Sequence, residues 1–325
     1  MKHLIYATGL LFATQAVAQA PDLTVYTYDS FATEWGPGPA IEEGFEAQCG
    51  CDLEFVAAGD GAALLSRLRL EGDATRADVV LGLDTNLMAA ARDTGLFAAH
   101  GVEADFALPV AWEDPDFLPF DWGYFAFIGN RGEPMPTDFR DLAESDRRIL
   151  IQDPRSSTPG LGLLLWVKDA YGDEAAAIWE GLADNIVTVT PGWSEAYGMF
   201  LEGEGDLVLS YTTSPAYHVI AEDDTSRVAL PFDEGHYMQI EVAAAVGGSD
   251  RQQLARDFLA YLVSDEAQSI IPTTNWMYPA VEPSGGLPEG FGDLVEPSQP
   301  RLIAPGDVPE TRDVALEEWR AALSQ

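Results

Sequence analysis

Short aliphatic or β-branched runs alternate along the chain with segments whose apolar residues recur at helical spacing, and this alternation predicts an α/β fold on largely parallel sheets. Leu23 to Thr27 reads as the first strand, and Pro39 to Gln48 as a helix with Ile41, Gly44, Phe45 and Gln48 on one side. Leu53 to Ala57 is the second strand. Ala62 to Glu71 follows as a helix with Leu64, Leu65 and Leu68 facing inward, then a strand at Asp78 to Leu83 and a helix from about Thr85 to Asp93.

Phe125 to Ile128 reads as a strand leaving this unit, and Asn130-Arg131-Gly132-Glu133-Pro134 as a breaker-rich crossing. Beyond it lie a strand at Ile149 to Gln152, a helix from Pro159 to Tyr171, a strand at Ile186 to Val189, a helix from Ser194 to Leu201 and a strand at Leu207 to Tyr211. The strand-like Tyr237 to Val246 returns the chain to the first unit, which helices at Arg251 to Val263 and about Asp307 to Leu323 complete. A chain of 325 residues exceeds what one core usually serves, so two lobes are expected. The first comprises 19–129 with about 237–325, and the second about 130–236. Two or more crossings between them make a hinge, and no solenoid repeat is visible.

The N-terminus changes the setting. Lys2 and His3 precede an apolar run, Leu4 to Ala13, that is too short to span a bilayer, and small residues follow at Ala16, Val17 and Ala18. Residues 1–18 therefore read as a signal peptide cleaved after Ala18; a cut after Ala20 would place Pro21 directly behind it. No cysteine stands where a lipoprotein would be acylated, which predicts a free periplasmic product without stable membrane insertion. Cys49-Gly50-Cys51 is at the long limit for a disulfide if extended, although Gly50 can bend the chain closer, so the spacing leaves both the bonded and the free state open. No histidine or third cysteine lies nearby to make it a metal site.

Charge narrows the partners. With 54 acidic and 17 basic residues the formal net charge is −37, which excludes nucleic acid and disfavours an anionic membrane surface. The acids are spread along the chain, the pattern of a protein kept soluble by its surface. Lys2 and Lys168 are the only lysines, a bias without functional content.

In parallel α/β sheets ligands sit beyond the carboxyl ends of strands. The residues there are Tyr28-Asp29-Ser30, Gly59-Asp60-Gly61, Asp84, Ser156-Ser157-Thr158-Pro159-Gly160 and Tyr211-Thr212-Thr213-Ser214. Thr158-Pro159-Gly160 has the form of an N-cap, a proline at the first helical position and a glycine, which either ends a loop or holds a phosphate. Trp35, Trp193, Tyr197, Tyr211, Tyr217, Trp276 and Tyr278 fall among Gly, Pro, Ser and Asn rather than at core periodicity, as cage aromatics for flat or cationic ligands do. There is no G-x-S-x-G, H-E-x-x-H or Walker A run, and Gly192-Trp193-Ser194-Glu195-Ala196 fails the nucleophile-elbow pattern. His218 and His236 lack a nucleophile partner, so a hydrolase is the weaker alternative and no enzyme, metal or cofactor is expected.

Several runs together resemble the periplasmic thiamine-binding proteins that serve ATP-driven thiamine importers of bacteria. They are LTVYTYDSFATEWGPG (23–38), ADVVLGL (77–83), QDPRSSTPGLGLLL (152–165), VTVTPGWSEAY (187–197), DLVLSYTTSPAYH (206–218) and NWMYP (275–279). The resemblance implies the two-lobed periplasmic-binding-protein type II fold, each lobe a mainly parallel sheet flanked by helices. It also implies thiamine as the transported ligand, with its mono- and diphosphate, an inner-membrane ABC permease as partner, a monomer, and delivery by hinge closure. Carried over by position, Tyr28, Trp35, Trp193, Tyr211, Tyr217 and Trp276 would cage the thiazolium. Asp60, Gly61, Ser157, Thr158, Gly160 and Asn275 would form the polar set, with the helix start at Ser157 to Gly160 receiving phosphate. Asp29 and Asp84 would either join this polar set or instead pin loops. Another organic cation, or ferric iron held by Tyr211 and Tyr217, is the competing ligand.

Overall fold

The computed structural model describes residues 22–324; the signal-peptide reading and its cleavage point lie outside the described residues. The chain begins with β1 (Leu23–Thr27), α1 (Asp29–Ala32), α2 (Gly38–Cys49), β2 (Leu53–Ala57), α3 (Gly61–Glu71), β3 (Val79–Asp84), α4 (Met88–Arg92) and β4 (Phe97–Ala98). A long β5 (Leu118–Asn130) follows, then α5 (Phe139–Glu144), β6 (Ile149–Gln152), α6 (Thr158–Tyr171), α7 (Ala175–Leu182) and β7 (Ile186–Thr190). Next come α8 (Trp193–Leu201), β8 (Leu207–Tyr211), α9 (Ser214–Glu222) and β9 (Arg227–Ala229). The last part holds β10 (His236–Val246), α10 (Gln252–Leu262), α11 (Asp265–Thr274), β11 (Tyr278–Pro279), β12 (Pro300–Arg301) and α12 (Val308–Leu323). Among the described residues no helix is long and apolar enough to cross a membrane.

The strands run in the order β2-β1-β3-β10-β5-β8-β6-β7. At each end pairing is parallel, β1 with β2 and β3, and β6 with β7 and β8. In the middle it is antiparallel, because the two long strands β10 and β5 each run against their neighbours. Both are buried nearly throughout, and each carries a near-continuous apolar run with no exposed face to alternate.

Leu118 to Tyr124 of β5 pairs with β10 while Phe125 to Ile128 pairs with β8, so the chain passes from one lobe to the other inside a single strand. The run at Asn130 to Pro134 is the turn that follows it. The C-terminal helix α12 packs chiefly on α6 and α7 and also touches α4. Val308, Ala315, Leu316, Trp319 and Ala322 are its buried stripe, Glu318 accepts from Lys168 Nζ at 2.7 Å, and the Arg155 guanidinium lies 5.7 Å from the Trp319 ring.

α4 starts at Met88 rather than near Thr85, because the Leu87 N–H closes a turn onto the Asp84 carbonyl at 2.9 Å. α5, α7, α9 and α11 lie in stretches to which the periodicity had assigned no element. Cys49 is the last residue of α2, and Gly50 caps that helix in the left-handed region at φ 65°, where glycine is favoured. The bend brings the Cys49 and Cys51 Cα atoms to 5.2 Å, and the pair is disulfide-bonded.

Candidate functional site

The carboxyl ends of β1 and β8 and the starts of α3, α6 and α8 converge on a cavity of about 450 Å³ between the lobes. Tyr28, Trp35, Asp60, Thr158, Trp193, Tyr211, Tyr217, Asn275 and Trp276 line it, as expected from their positions after strands and in loops. Ser30, Ser194, Tyr197, Ser214, Glu241 and Met277 line it too. Among the described residues, none that lines it is basic.

The aromatic wall is held from behind. Trp193 stacks on Tyr197 with centroids 5.0 Å apart, and its Nε1–H donates to Ser210 Oγ at 2.8 Å. The Tyr197 hydroxyl meets His218 Nε2 at 2.8 Å, and His218 Nδ1 meets Glu222 Oε2 at 2.7 Å. A carboxylate only accepts, so Nδ1 carries the proton in the neutral ring and Nε2 accepts from Tyr197. Glu222 also takes the Tyr217 hydroxyl at 3.0 Å, and the Tyr217 ring meets Trp276 edge-on at 5.2 Å. Trp35 is 55 % exposed and tilts over Trp193 at 6.4 Å, at the cavity mouth. Trp276 itself has φ 58°, a left-handed conformation unusual for a side chain of its size.

Gly61, Ser157 and Gly160 do not line the cavity; they bring its walls together. The α6 N-cap is Ser157 rather than Thr158, with Pro159 at the second helical position. Ser157 is fully buried, and its hydroxyl donates to Asp60 Oδ2 at 2.6 Å. The same carboxylate oxygen receives the Trp193 N–H at 3.3 Å, so Asp60 of one lobe spans the starts of two helices of the other. Burial raises its pKa to about 6, and these two hydrogen bonds pull against that. A Cβ on Gly160 would lie 2.4 Å from the Gln152 carbonyl, and one on Gly61 would lie 2.4 Å from Thr158 Oγ1. Both glycines therefore admit a close neighbour that a side chain would displace.

The floor is acidic. Asn275 Nδ2 donates to the Tyr28 hydroxyl at 2.9 Å and to Asp121 Oδ2 at 2.6 Å. Asp84 accepts from Asn86 Nδ2 at 2.6 Å, and Asp29 accepts the Gly59 N–H at 2.8 Å, so each ties down its loop. Glu241 was not anticipated. Its signal was present, since Gln239 and Glu241 stand two apart, hence on one face, in an otherwise apolar strand.

The competing chemistries find little support in the geometry. Both His218 nitrogens are engaged, and His236 is buried with Nδ1 on the Phe125 carbonyl at 2.7 Å. The Tyr211 hydroxyl donates to Gln239 Oε1 at 3.0 Å, and the Tyr217 hydroxyl to Glu222, so neither is a free iron ligand. His218, Glu222 and Asp224 place potential ligand atoms within 4.8 Å of one another, behind the aromatic wall rather than in the cavity.

The family described as bacterial extracellular solute-binding protein matches residues 23–273. The thiamine-binding periplasmic protein of Escherichia coli (strain K12) is 52 % identical over 321 residues, covering 97 % of this chain and 98 % of that relative. A solved structure of a periplasmic thiamin binding protein superposes with a TM-score of 0.92 at 50 % identity, covering 98 % of this chain and all of the other. A ferric binding protein from Campylobacter jejuni shares the fold alone, with a TM-score of 0.73 at 19 % identity over 92 % of this chain and 99 % of its own. The chain belongs to the bacterial extracellular solute-binding proteins and, within them, to the thiamine-binding periplasmic proteins.

Proposed function

We propose that this protein captures thiamine in the periplasm and delivers it to an ABC-type importer, without making or breaking a bond in the ligand. The observation that carries this reading is an aromatic cage over an acidic floor, with no basic residue lining the cavity among the described residues. Thiamine supplies what such a site accepts: a thiazolium with a fixed positive charge and a flat aminopyrimidine. Each well-placed ring under the cation contributes on the order of 0.5–2 kcal/mol. Trp193 and Tyr217 belong to one lobe and Tyr28 and Trp276 to the other, so the ligand is gripped fully only when the lobes meet. Preference for that closed form is what drives closure and presents it to the permease. The exported form begins after Ala18 and acts as a monomer; N-terminal sequencing and size-exclusion chromatography check both.

Thiamine mono- and diphosphate are ligands of the same site. With no basic side chain at the cavity, their phosphate must rely on the N–H groups at the starts of α6 and α8, where the Asp60 carboxylate stands. Asp60 must give up Ser157 to admit them, so free thiamine binds most tightly. Isothermal titration of the ligand-stripped protein with thiamine, its two phosphates, polyamines and ferric iron tests the reading, and no thiamine binding below about 10 μM would sink it. Ser157→Ala should weaken the phosphorylated forms more than thiamine. Equal losses would refute a phosphate at this helix start.

A further inference from the structure

Glu241 sits in the middle of a row of three acids that crosses the sheet beneath the cavity. In the strand register it pairs with Asp84 of β3 on one side and with Asp121 of β5 on the other. Residues directly opposite in antiparallel strands point to the same face with Cβ atoms about 5 Å apart, and like charges so placed repel. All three are buried, Asp84 and Asp121 completely and Glu241 to 7 % exposure. Their partners are amides: Asn86 for Asp84, Asn275 for Asp121, and Gln239 Nε2 at 2.6 Å from Glu241 Oε1. One oxygen of each, Asp84 Oδ1, Asp121 Oδ1 and Glu241 Oε2, has no hydrogen-bond partner among the described residues. The other titratable groups facing Glu241 are Tyr28 and Asp60, with Tyr211 reaching it through Gln239, and none brings positive charge. Of the row, only Glu241 lines the cavity.

Three carboxylates cannot stay ionised together out of water without a counter-charge, because desolvation and mutual repulsion both oppose it. We propose that Glu241 is the residue that selects a positively charged ligand, and that capture is a proton exchange. In the empty cavity Glu241 is a neutral carboxylic acid. When the cation arrives the Glu241 O–H bond breaks, the proton leaves to solvent, and the carboxylate remains as the ligand's counter-ion between a protonated Asp84 and a protonated Asp121. Burial pushes all three acids upward in pKa, Asp84 to about 7, with Asp121 as a further cause for Glu241. The identity of the cation rests on the thiamine reading above; the row of acids does not.

Calorimetry of the wild-type protein with thiamine at pH 7, in phosphate and in Tris buffer, reads the proton directly. The expected result is release of close to one proton per thiamine, with affinity rising by up to about tenfold per pH unit between pH 6 and 8. Glu241→Gln should weaken thiamine by roughly tenfold or more and remove most of the buffer and pH dependence, leaving what Asp60 and Asp84 contribute. Wild-type binding without buffer dependence, or undiminished binding by Glu241→Gln, would overturn the inference and leave the thiamine reading intact. If wild type does not bind thiamine, that reading fails instead, and the unliganded protein decides this one. Its infrared spectrum at pH 7 should show the C=O band of a buried protonated carboxyl that Glu241→Gln lacks, and absence of that band in wild type overturns the proposal.

Discussion

Trp276 shows how a single residue can be legible in sequence for one reason and important for another. It is an aromatic amid Asn, Met and Tyr after the last turn of α11, out of step with any core stripe, and this marks it as a candidate for the ligand. Its left-handed backbone, φ 58°, with the N–H returned to the Ile271 carbonyl at 3.1 Å, shows only in the structure. Such a conformation costs about 1–3 kcal/mol for a residue with a side chain, tolerated here because it turns the indole against Tyr217. Trp276→Ala should therefore weaken thiamine by roughly tenfold or more in a titration, through loss of cation–π and stacking area. Trp276→Gly should bind as poorly yet unfold at a higher temperature than Trp276→Ala, since glycine relieves the strain; the reverse order of melting temperatures would remove the strain argument. Gly61 and Gly160 mark the opposite limit. A glycine beside a helix start looks the same in sequence whether or not a neighbour crowds it, and here Thr158 Oγ1 and the Gln152 carbonyl do.

At the level of elements, what was readable is each segment's own periodicity, and what was not is the surface it meets. Helix α12 was expected from about Asp307 to Leu323 and forms at Val308–Leu323, but an apolar stripe does not name its partner. It covers α6 and α7 and also touches α4, so the end of the chain rests mainly on elements from the middle of the sequence. Trp319, 6 % exposed, is its largest buried side chain. Trp319→Ala should cost roughly 3–5 kcal/mol. Native-state hydrogen exchange should then speed up in α6 and α7 before α2 and α10; uniform acceleration would mean that α12 supports all these helices equally. β5 escaped for a related reason: an apolar strand that changes partners halfway carries no mark of the change. The Cys49–Cys51 bond closes so short a loop that it restricts the unfolded chain little. Cys49→Ser with Cys51→Ser should lose no more than roughly 1–2 kcal/mol in a denaturant titration.

For the molecule as a whole, the acids divide into two populations that respond to pH in opposite directions. Asp153, Asp206 and Glu222, paired with Arg155, Arg148 and His218 respectively, have pKa values below the ordinary range; their stabilisation is present at neutral pH and lost as pH falls through those lowered values. Asp60, Asp84, Asp121 and Glu241 are raised by burial, Asp60 to about 6 and Asp84 to about 7. Above about pH 4 the folded chain holds protons on these groups that the unfolded chain releases, so their contribution is greatest in acid and is lost as pH rises through 6 to 7 and beyond. For Asp84 alone the range is on the order of 4 kcal/mol. The melting temperature of the unliganded protein should therefore fall from pH 5 to pH 8. Surface repulsion at a net charge of −37 acts in the same direction, but salt screens exposed charges far more than buried ones. The fall should thus persist in 0.5–1 M salt, where the Debye length shrinks to about 3–4 Å. A melting temperature that is flat or rises with pH at high salt would show that the cavity floor does not hold its protons. Saturating thiamine should flatten the fall, since a ligand that replaces a proton with its own charge stabilises the folded state most where that proton is lost most easily.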